Sequence, residues 1–196
     1  MTAATGHVVI LNGPPRSGKS SIAAAVQSSV EGTWIHLGVD SSVAATPAHL
    51  HPGIGLRPGG ERPDLEPLVS TLTEALYGAV AVHARLGLDV VVDAVHHHDY
   101  ATPLDTFAIA QQQLRGVPTL VVGVRCPLEV IRERRRATWG GAGYVASAHT
   151  PDPVQRWQHA VEEAVRSDLE LDTSEQTPSE CARVIAATLG RAVSLR

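Results

Sequence analysis

The sequence predicts an α/β protein in which a five-stranded parallel sheet lies between two layers of helices. Short β-branched runs alternate with longer amphipathic stretches, which is typical of a parallel sheet with helical connections. The runs are apolar almost throughout, which indicates strands buried on both faces. Because 196 residues is close to the usual length of one domain, we assign residues 1–196 to a single domain.

Strands and helices are expected to follow one another along the chain. The strands are predicted at His7 to Asn12, Thr33 to Val39, Asp89 to Asp93, Pro118 to Val124 and Asp168 to Asp172. The helices are predicted at Lys19 to Val30, Asp64 to Leu86, Pro103 to Arg115, Leu128 to Ala137, Val154 to Arg166 and Pro178 to Leu189. Two of these helices begin with a threonine cap followed by proline, at Thr102 and Thr177.

The composition excludes several classes of partner. A net charge of -4 argues against nucleic acid, because a polyanion requires a broad basic face. No apolar run is long enough for a signal or membrane helix, so neither export nor membrane insertion is expected. Cys126 and Cys181 are far apart and fit neither a disulfide framework nor a zinc site. These features favour a cytoplasmic protein, and they leave a homo-oligomer open.

A phosphate-binding loop is the strongest motif in the sequence. The segment from residue 13 to residue 20 matches G-x-x-x-x-G-K-[ST] directly after a predicted strand and directly before a helix. Its backbone N–H groups and the helix N-terminus favour phosphate, Lys19 is expected to neutralise the β- and γ-phosphates, and Ser20 is expected to bind Mg²⁺. The predicted ATP-binding residues of this loop are Gly13, Pro14, Pro15, Arg16, Ser17, Gly18, Lys19, Ser20 and Ser21.

Two carboxylates follow predicted strands at the edge where this loop lies. Asp93 ends a buried run and is the candidate metal ligand, whereas Asp89 begins the same run and is expected at the far edge. Asp40 follows the second strand, where it could accept a proton from an attacking hydroxyl or cap the next turn. No Asn-Lys-x-Asp segment supports a GTPase, so a kinase for a small molecule is favoured.

A cluster of arginines suggests a lid at about residues 132–153. Arg132 and Arg136 lie four residues apart on one predicted helix face, next to a glycine-rich segment. Such arginines can stabilise charge on a transferring phosphoryl group, and we take both as candidate catalytic residues. The alternative is a solvated basic helix face.

The predicted substrate side is rich in loops and histidine. A long loop is expected at about residues 41–67, since the chain from residue 46 onward is rich in proline, glycine and histidine. His96, His97 and His98 follow Asp93, but consecutive side chains point in different directions and rarely form one metal site. We expect them in a loop that brings one imidazole within reach of the acceptor.

These residues together resemble the chloramphenicol phosphotransferase-like kinases over almost the whole chain. The resemblance depends on the phosphate loop and its preceding strand, on Gly38-Val39-Asp40-Ser41, on Val91-Val92-Asp93, on the segment from Val122 to Glu129, and on the segments from Asp168 to Ser174 and from Ser179 to Ala182. It implies a nucleoside monophosphate kinase-like fold with strand order 2-3-1-4-5, ATP and Mg²⁺ as cofactors, and transfer to a hydroxyl group.

The resemblance also implies roles for single residues. Asp40 matches the family's proposed base, and Arg132 and Arg136 fall in the lid region. Thr173 belongs to a segment that passes near the adenine in similar kinases. The implied acceptor is a small hydroxylated molecule such as an antibiotic. The alternatives are a metabolite kinase similar to shikimate or gluconate kinase, or a nucleotide-binding regulator without catalysis.

Overall fold

The computed structural model describes residues 4–51, 62–139 and 153–193. Five parallel strands form one sheet in the order β2-β3-β1-β4-β5, which confirms the predicted fold class and strand order. The strands are β1 (Val8–Asn12), β2 (Trp34–Gly38), β3 (Asp89–Ala94), β4 (Thr119–Arg125) and β5 (Leu169–Asp172). The helices are α1 (Lys19–Ser29), α2 (Val39–Ala44), α3 (Glu66–Arg85), α4 (Thr106–Gln113), α5 (Leu128–Trp139), α6 (Pro153–Ala164) and α7 (Pro178–Thr188).

Apolar side chains from both faces of the central strand form two separate cores. Val9 and Leu11 of β1 pack in a cluster with residues of α1 and α7. Val8 and Ile10, which point to the opposite face, pack in a cluster with residues of α3 and α4. All five residues of β1 are buried, as expected for a strand covered by helices on both sides. The sheet therefore holds the end of β1 rigidly where the phosphate loop begins.

The strand register brings the carboxyl ends of β1, β2 and β3 to one edge of the sheet. Asn12 at the end of β1 pairs with Ala94, and Gly38 at the end of β2 pairs with Asp93. Asp89 pairs with Trp34 at the start of both strands, so it lies at the opposite edge, as predicted. Ligands of open α/β sheets bind beyond the carboxyl ends of the strands, which places the candidate site at the first of these edges.

The structure corrects the predicted start of α4. Thr102 was expected to cap this helix, but its N–H and hydroxyl both donate to the Glu66 carboxylate, at 3.0 and 2.8 Å. The helix begins at Thr106 instead, and the Asp105 carboxylate caps it by accepting from the Ala108 N–H at 2.8 Å. A long-range contact to α3 therefore replaces the local cap that the sequence suggested.

The predicted substrate loop at 41–67 is partly helical. Its first residues belong to α2, and short 3-10 helices occupy Ala48–Leu50 and Pro63–Leu65. Residues 52–61 lie outside the described residues. Of the predicted lid at 132–153, residues 132–139 belong to α5 and residues 140–152 lie outside the described residues. In the part of the chain that the structure describes, no helix is both long and apolar enough to span a bilayer.

Candidate active site

The phosphate loop connects β1 to α1 and has a backbone shape that few side chains permit. A Cβ added to Gly13 would lie 2.5 Å from the Val124 carbonyl oxygen, so only glycine fits there. Arg16 and Gly18 both have left-handed backbone angles, with φ of 71° and 100°. Left-handed backbone is costly for arginine, and such strain is concentrated at functional sites. This conformation is the wrapped backbone that the motif predicts.

Lys19, the only lysine in the sequence, lies buried beneath the loop. Its ammonium group donates to the carbonyl oxygens of Gly13 and Pro14, at 2.9 and 3.0 Å. The Asp93 carboxylate lies 3.7 Å away. Burial lowers the pKa of Lys19, while the negative charges of Asp93 and Asp40 oppose that shift. Both predicted carboxylates therefore act on the buried ammonium group of Lys19.

Ser20 and Asp93 present adjacent oxygen atoms beside Lys19. The Ser20 hydroxyl donates to the Asp93 carboxylate at 2.5 Å, across the gap between α1 and the end of β3. Mg²⁺ binds oxygen ligands and usually keeps several waters, so a hydroxyl and a carboxylate at this distance fit the ion. The residues that the sequence proposed for the metal are brought together by the fold.

Asp40 lies in the first turn of α2 rather than at the end of a strand. Strand β2 ends at Gly38, and the capping contacts of α2 come from Ser41, whose hydroxyl donates to the Gly38 carbonyl at 2.8 Å and accepts from its N–H at 3.3 Å. Ser41 therefore fills the capping role that the sequence left open for Asp40. The exposed Asp40 carboxylate is available to an acceptor and lies close enough to act on the charge of Lys19.

Thr173 and Arg134 close the loop from the side of β5. The Thr173 hydroxyl donates to the Ser17 carbonyl at 2.7 Å, and its side chain packs against Gly18. The Arg134 guanidinium donates to the Thr173 hydroxyl and carbonyl, at 3.0 and 2.8 Å, and to the Arg16 carbonyl at 3.3 Å. One arginine of α5 thus connects the phosphate loop to the turn after β5.

The sequence did not single out Arg134 among the four arginines of α5. Ile131 is fully buried, and a residue three positions later lies on the same helix face, so Arg134 faces inward. Arg132 forms an ion pair with Glu129 one turn earlier, and Arg136 is exposed. Arg135, four positions after Ile131, also lies near this face, so the spacing narrows the choice to two arginines and the contacts with Thr173 identify Arg134. The catalytic roles of Arg132 and Arg136 stay predictions.

The histidines after Asp93 have different environments. His96 is a core residue whose ring nitrogens contact the Tyr77 hydroxyl at 2.6 Å and the Thr106 hydroxyl at 2.9 Å. Its backbone N–H donates to the Asn12 side-chain oxygen at 2.8 Å. His97 is also buried and stacks on a tyrosine, whereas His98 is exposed. No group of three or more His, Cys, Asp or Glu side chains within the described ranges is arranged to hold a metal ion.

Comparisons with known proteins place this geometry in a family. The chloramphenicol phosphotransferase-like protein model matches residues 6–190. No curated protein matches the chain. Similar solved structures include the Deinococcus radiodurans tunicamycin resistance protein, at 19% identity and a TM-score of 0.64, with 97% of this chain and 99% of that one covered. The Mycobacterium tuberculosis APS kinase CysC has 19% identity and a TM-score of 0.65, with 95% and 98% covered.

Shikimate kinase from Acinetobacter baumannii is similar at 13% identity and a TM-score of 0.57, with 95% of each chain covered. Identities this low show a shared fold alone, which is that of the P-loop kinases. The family match extends over the sheet, the phosphate loop and the carboxylates Asp40 and Asp93. The chain therefore belongs to the chloramphenicol phosphotransferase-like protein family.

Proposed function

We propose that this protein is an ATP-dependent phosphotransferase that acts on a hydroxyl group of a small, uncharged, antibiotic-like molecule. The observation that carries the proposal is the pair of carboxylates, Asp40 in the first turn of α2 and Asp93 near the end of β3, that both act on Lys19. A protein that only binds nucleotide needs the phosphate loop and a metal ligand. It does not need a second, exposed carboxylate on the side where an acceptor would enter.

The residues have distinct roles in the proposed transfer. Lys19 holds the phosphates, and Ser20 and Asp93 would hold Mg²⁺, which supplies neutralisation of charge on the β- and γ-phosphate oxygens. Asp40 orients the acceptor hydroxyl, whose oxygen forms a bond to the γ-phosphorus as the bond to the β-phosphate oxygen breaks. The hydroxyl proton passes to the Asp40 carboxylate, and ADP leaves.

Charges on the acceptor side favour an uncharged acceptor over a sugar acid. Two arginines of the predicted substrate side pair with carboxylates at 2.7 Å, Arg62 with Asp64 and Arg156 with Asp99. The carboxylate of Asp40 adds negative charge. An anionic acceptor needs a basic group to offset its own desolvation, and a carboxylate-lined entrance repels it. This distribution supports the antibiotic-like acceptor over a substrate like shikimate or gluconate.

An acceptor panel tests the proposal. The protein is incubated with ATP and Mg²⁺ and with chloramphenicol, tunicamycin, a hydroxylated macrolide, shikimate or gluconate, and products are identified by mass spectrometry. We expect a phosphoryl group to be added to at least one uncharged compound and to neither acid. Transfer to an acid alone would support the metabolite kinase. Tight ATP binding without transfer to any compound would instead favour a nucleotide-binding regulator.

A further inference from the structure

Two buried side-chain polar atoms of the described residues lack a hydrogen-bond partner, the Ser17 Oγ and the His97 Nδ1. Proteins leave few such atoms, because each one loses its hydration without gaining a replacement. Ser17 belongs to the phosphate loop, where a phosphate oxygen can accept its hydroxyl proton. A bound nucleotide would therefore supply the missing partner of the Ser17 hydroxyl, but it would not supply one for the His97 Nδ1.

His97 follows β3 at the same edge of the sheet as Asp40 and Asp93. It comes four residues after Asp93. The backbone N–H of its neighbour His96 donates to the side-chain oxygen of Asn12, at the end of β1, at 2.8 Å. The His97 ring stacks on Tyr100 with centroids 4.2 Å apart, and Trp157 of α6 meets it edge to face at 5.4 Å. These contacts hold the ring in place but leave Nδ1 without a partner.

The imidazole of His97 is uncharged at neutral pH. Burial lowers its pKa to about 4, and His98 and Arg156 lower it further, while Asp99 and Glu66 oppose the shift. A neutral imidazole has one donor nitrogen and one acceptor nitrogen, so Nδ1 pairs with a donor or an acceptor group according to the tautomer. The Asp99 and Glu66 carboxylates also disfavour an anionic group at this position.

We propose that His97 determines acceptor specificity, with its Nδ1 hydrogen-bonded to an uncharged hydroxyl or amide group of the acceptor. This inference rests on the proposed function, in which Asp40 orients the reacting hydroxyl of the acceptor. His97 therefore binds a second polar group of the same molecule. A site built to hydrogen-bond one group discriminates strongly against analogues that lack it, since the protein atom is then left unpaired in a buried position.

The acceptor reaches His97 between the loop after β3 and helix α6. Trp157 covers the ring from α6, and the adjacent Arg156 binds Asp99 of the loop at 2.7 Å. The side chains of this ion pair are 37% and 38% exposed, so water screens the pair and it contributes little to closure. Opening this junction would break only a screened ion pair, but it would also move Trp157, which is buried, away from the His97 ring.

Variants at position 97 separate recognition from folding. In His97→Phe the ring packing on Tyr100 and Trp157 is kept but the nitrogen is lost, whereas His97→Asn keeps a polar atom near the position of Nδ1. The control is His159→Phe, the same change at an exposed histidine of α6. Kinetics are measured with whichever compound of the acceptor panel the wild-type protein phosphorylates, together with binding of a fluorescent ATP analogue and the melting temperature.

We expect His97→Phe to raise the acceptor KM by about tenfold with kcat and ATP affinity unchanged, because it removes one hydrogen bond made in both ground and transition states. Its melting temperature should equal or exceed that of the wild type, because the unpaired atom is gone. His97→Asn should recover most of the acceptor affinity, and His159→Phe should behave as wild type.

An unchanged acceptor KM in His97→Phe would overturn the inference and leave the proposed function intact. A higher KM in both variants with lower melting temperatures would assign His97 to packing, which also overturns it. If the wild-type protein binds the ATP analogue but phosphorylates no compound of the panel, the proposed function fails, and the inference fails with it.

Discussion

Lys19 shows at the scale of one residue how the fold prepares a cation for phosphate. The side chain is 6% exposed, and burial alone would favour its neutral form. Two loop carbonyls accept from the ammonium group, and the charges of Asp93 and Asp40 raise its pKa against the effect of burial. The charge is thus placed under the phosphate loop at fixed geometry, as electrostatic stabilisation of a transition state requires.

Replacing this residue should abolish most of the transfer. Lys19→Ala is expected to lower the single-turnover rate by at least about a hundredfold, the usual effect of removing one preorganised electrostatic contact. The rate is measured by rapid quench with saturating acceptor, and circular dichroism checks that the variant is folded. A variant with the rate of the wild-type protein would remove the basis for assigning the loop to the γ-phosphate.

Helix α5 places its four arginines on more than one face, so they make different contacts. Arg134 faces the core beside Ile131 and holds Thr173 against the phosphate loop, whereas Arg132 and Arg136 lie on other faces. A contact that fixes the loop should matter for nucleotide binding, and a charge that meets the transferring phosphoryl should matter for turnover. The two kinds of arginine are therefore separable by kinetics.

Alanine variants of the three arginines should differ in which constant they change. Arg134→Ala is expected to raise the KM for ATP by about tenfold or more, since it loses hydrogen bonds from a charged donor. Arg132→Ala and Arg136→Ala should lower kcat more than ATP affinity if either residue stabilises the transferring group. Unchanged kinetics in Arg132→Ala and Arg136→Ala would show that both arginines lie on a solvated helix face without a catalytic role. An unchanged KM for ATP in Arg134→Ala would show that the contacts of Arg134 are only structural.

The sequence predicts central elements well and contacts between distant segments poorly. Strands β1 to β5 match their predicted positions to within one or two residues. Apolar runs mark β1, β3 and β4, whereas the short β5 alternates leucine with acidic residues and gives a weaker signal. The start of α4 was wrong because Glu66, far away in sequence, takes the N–H and hydroxyl of Thr102. Helix α2 was missed because it has only six residues and depends on the Ser41 contacts to Gly38.

The same limit applies to the candidate site. The phosphate loop, Ser20 and Asp93 follow from a motif and from the rule that ligands bind at strand ends, and the structure brings them together. The contact of Arg134 with Thr173 joins α5 to the turn after β5. Such a contact depends on how the two elements pack, which no local pattern specifies.

At the scale of the whole molecule, two buried neutral histidines make stability depend on pH. Burial lowers the pKa of His96 to about 3 and that of His97 to about 4, whereas an unfolded chain titrates near the usual value of 6.5. Below about pH 6.5 the unfolded chain therefore binds more protons than the folded one. Stability is lost as pH falls through this window, and above it neither histidine contributes.

Each such histidine should lower the free energy of unfolding by about 1.4 kcal/mol per pH unit once pH is well below 6.5 and above its folded pKa. Urea unfolding at pH 7, 6 and 5 measures the slope. We expect His97→Phe to reduce the slope between pH 6 and pH 5 by about 1.4 kcal/mol per pH unit, the contribution of one histidine. The exposed His159 serves as the control, and His159→Phe should keep the wild-type slope. Equal slopes in all three proteins would show that His97 is protonated in the folded state.

The most direct test of the proposed transfer compares the wild-type protein with Asp40→Asn. Asparagine keeps the size of the side chain but cannot take a proton at neutral pH, and α2 keeps its cap because Ser41 makes those contacts. With saturating acceptor, the single-turnover rate should fall by about a hundredfold to ten-thousandfold while fold and ATP binding are unchanged, with the smaller loss expected for a loose phosphoryl transfer. Wild-type turnover in Asp40→Asn would contradict the role of Asp40 and show that another group orients the hydroxyl.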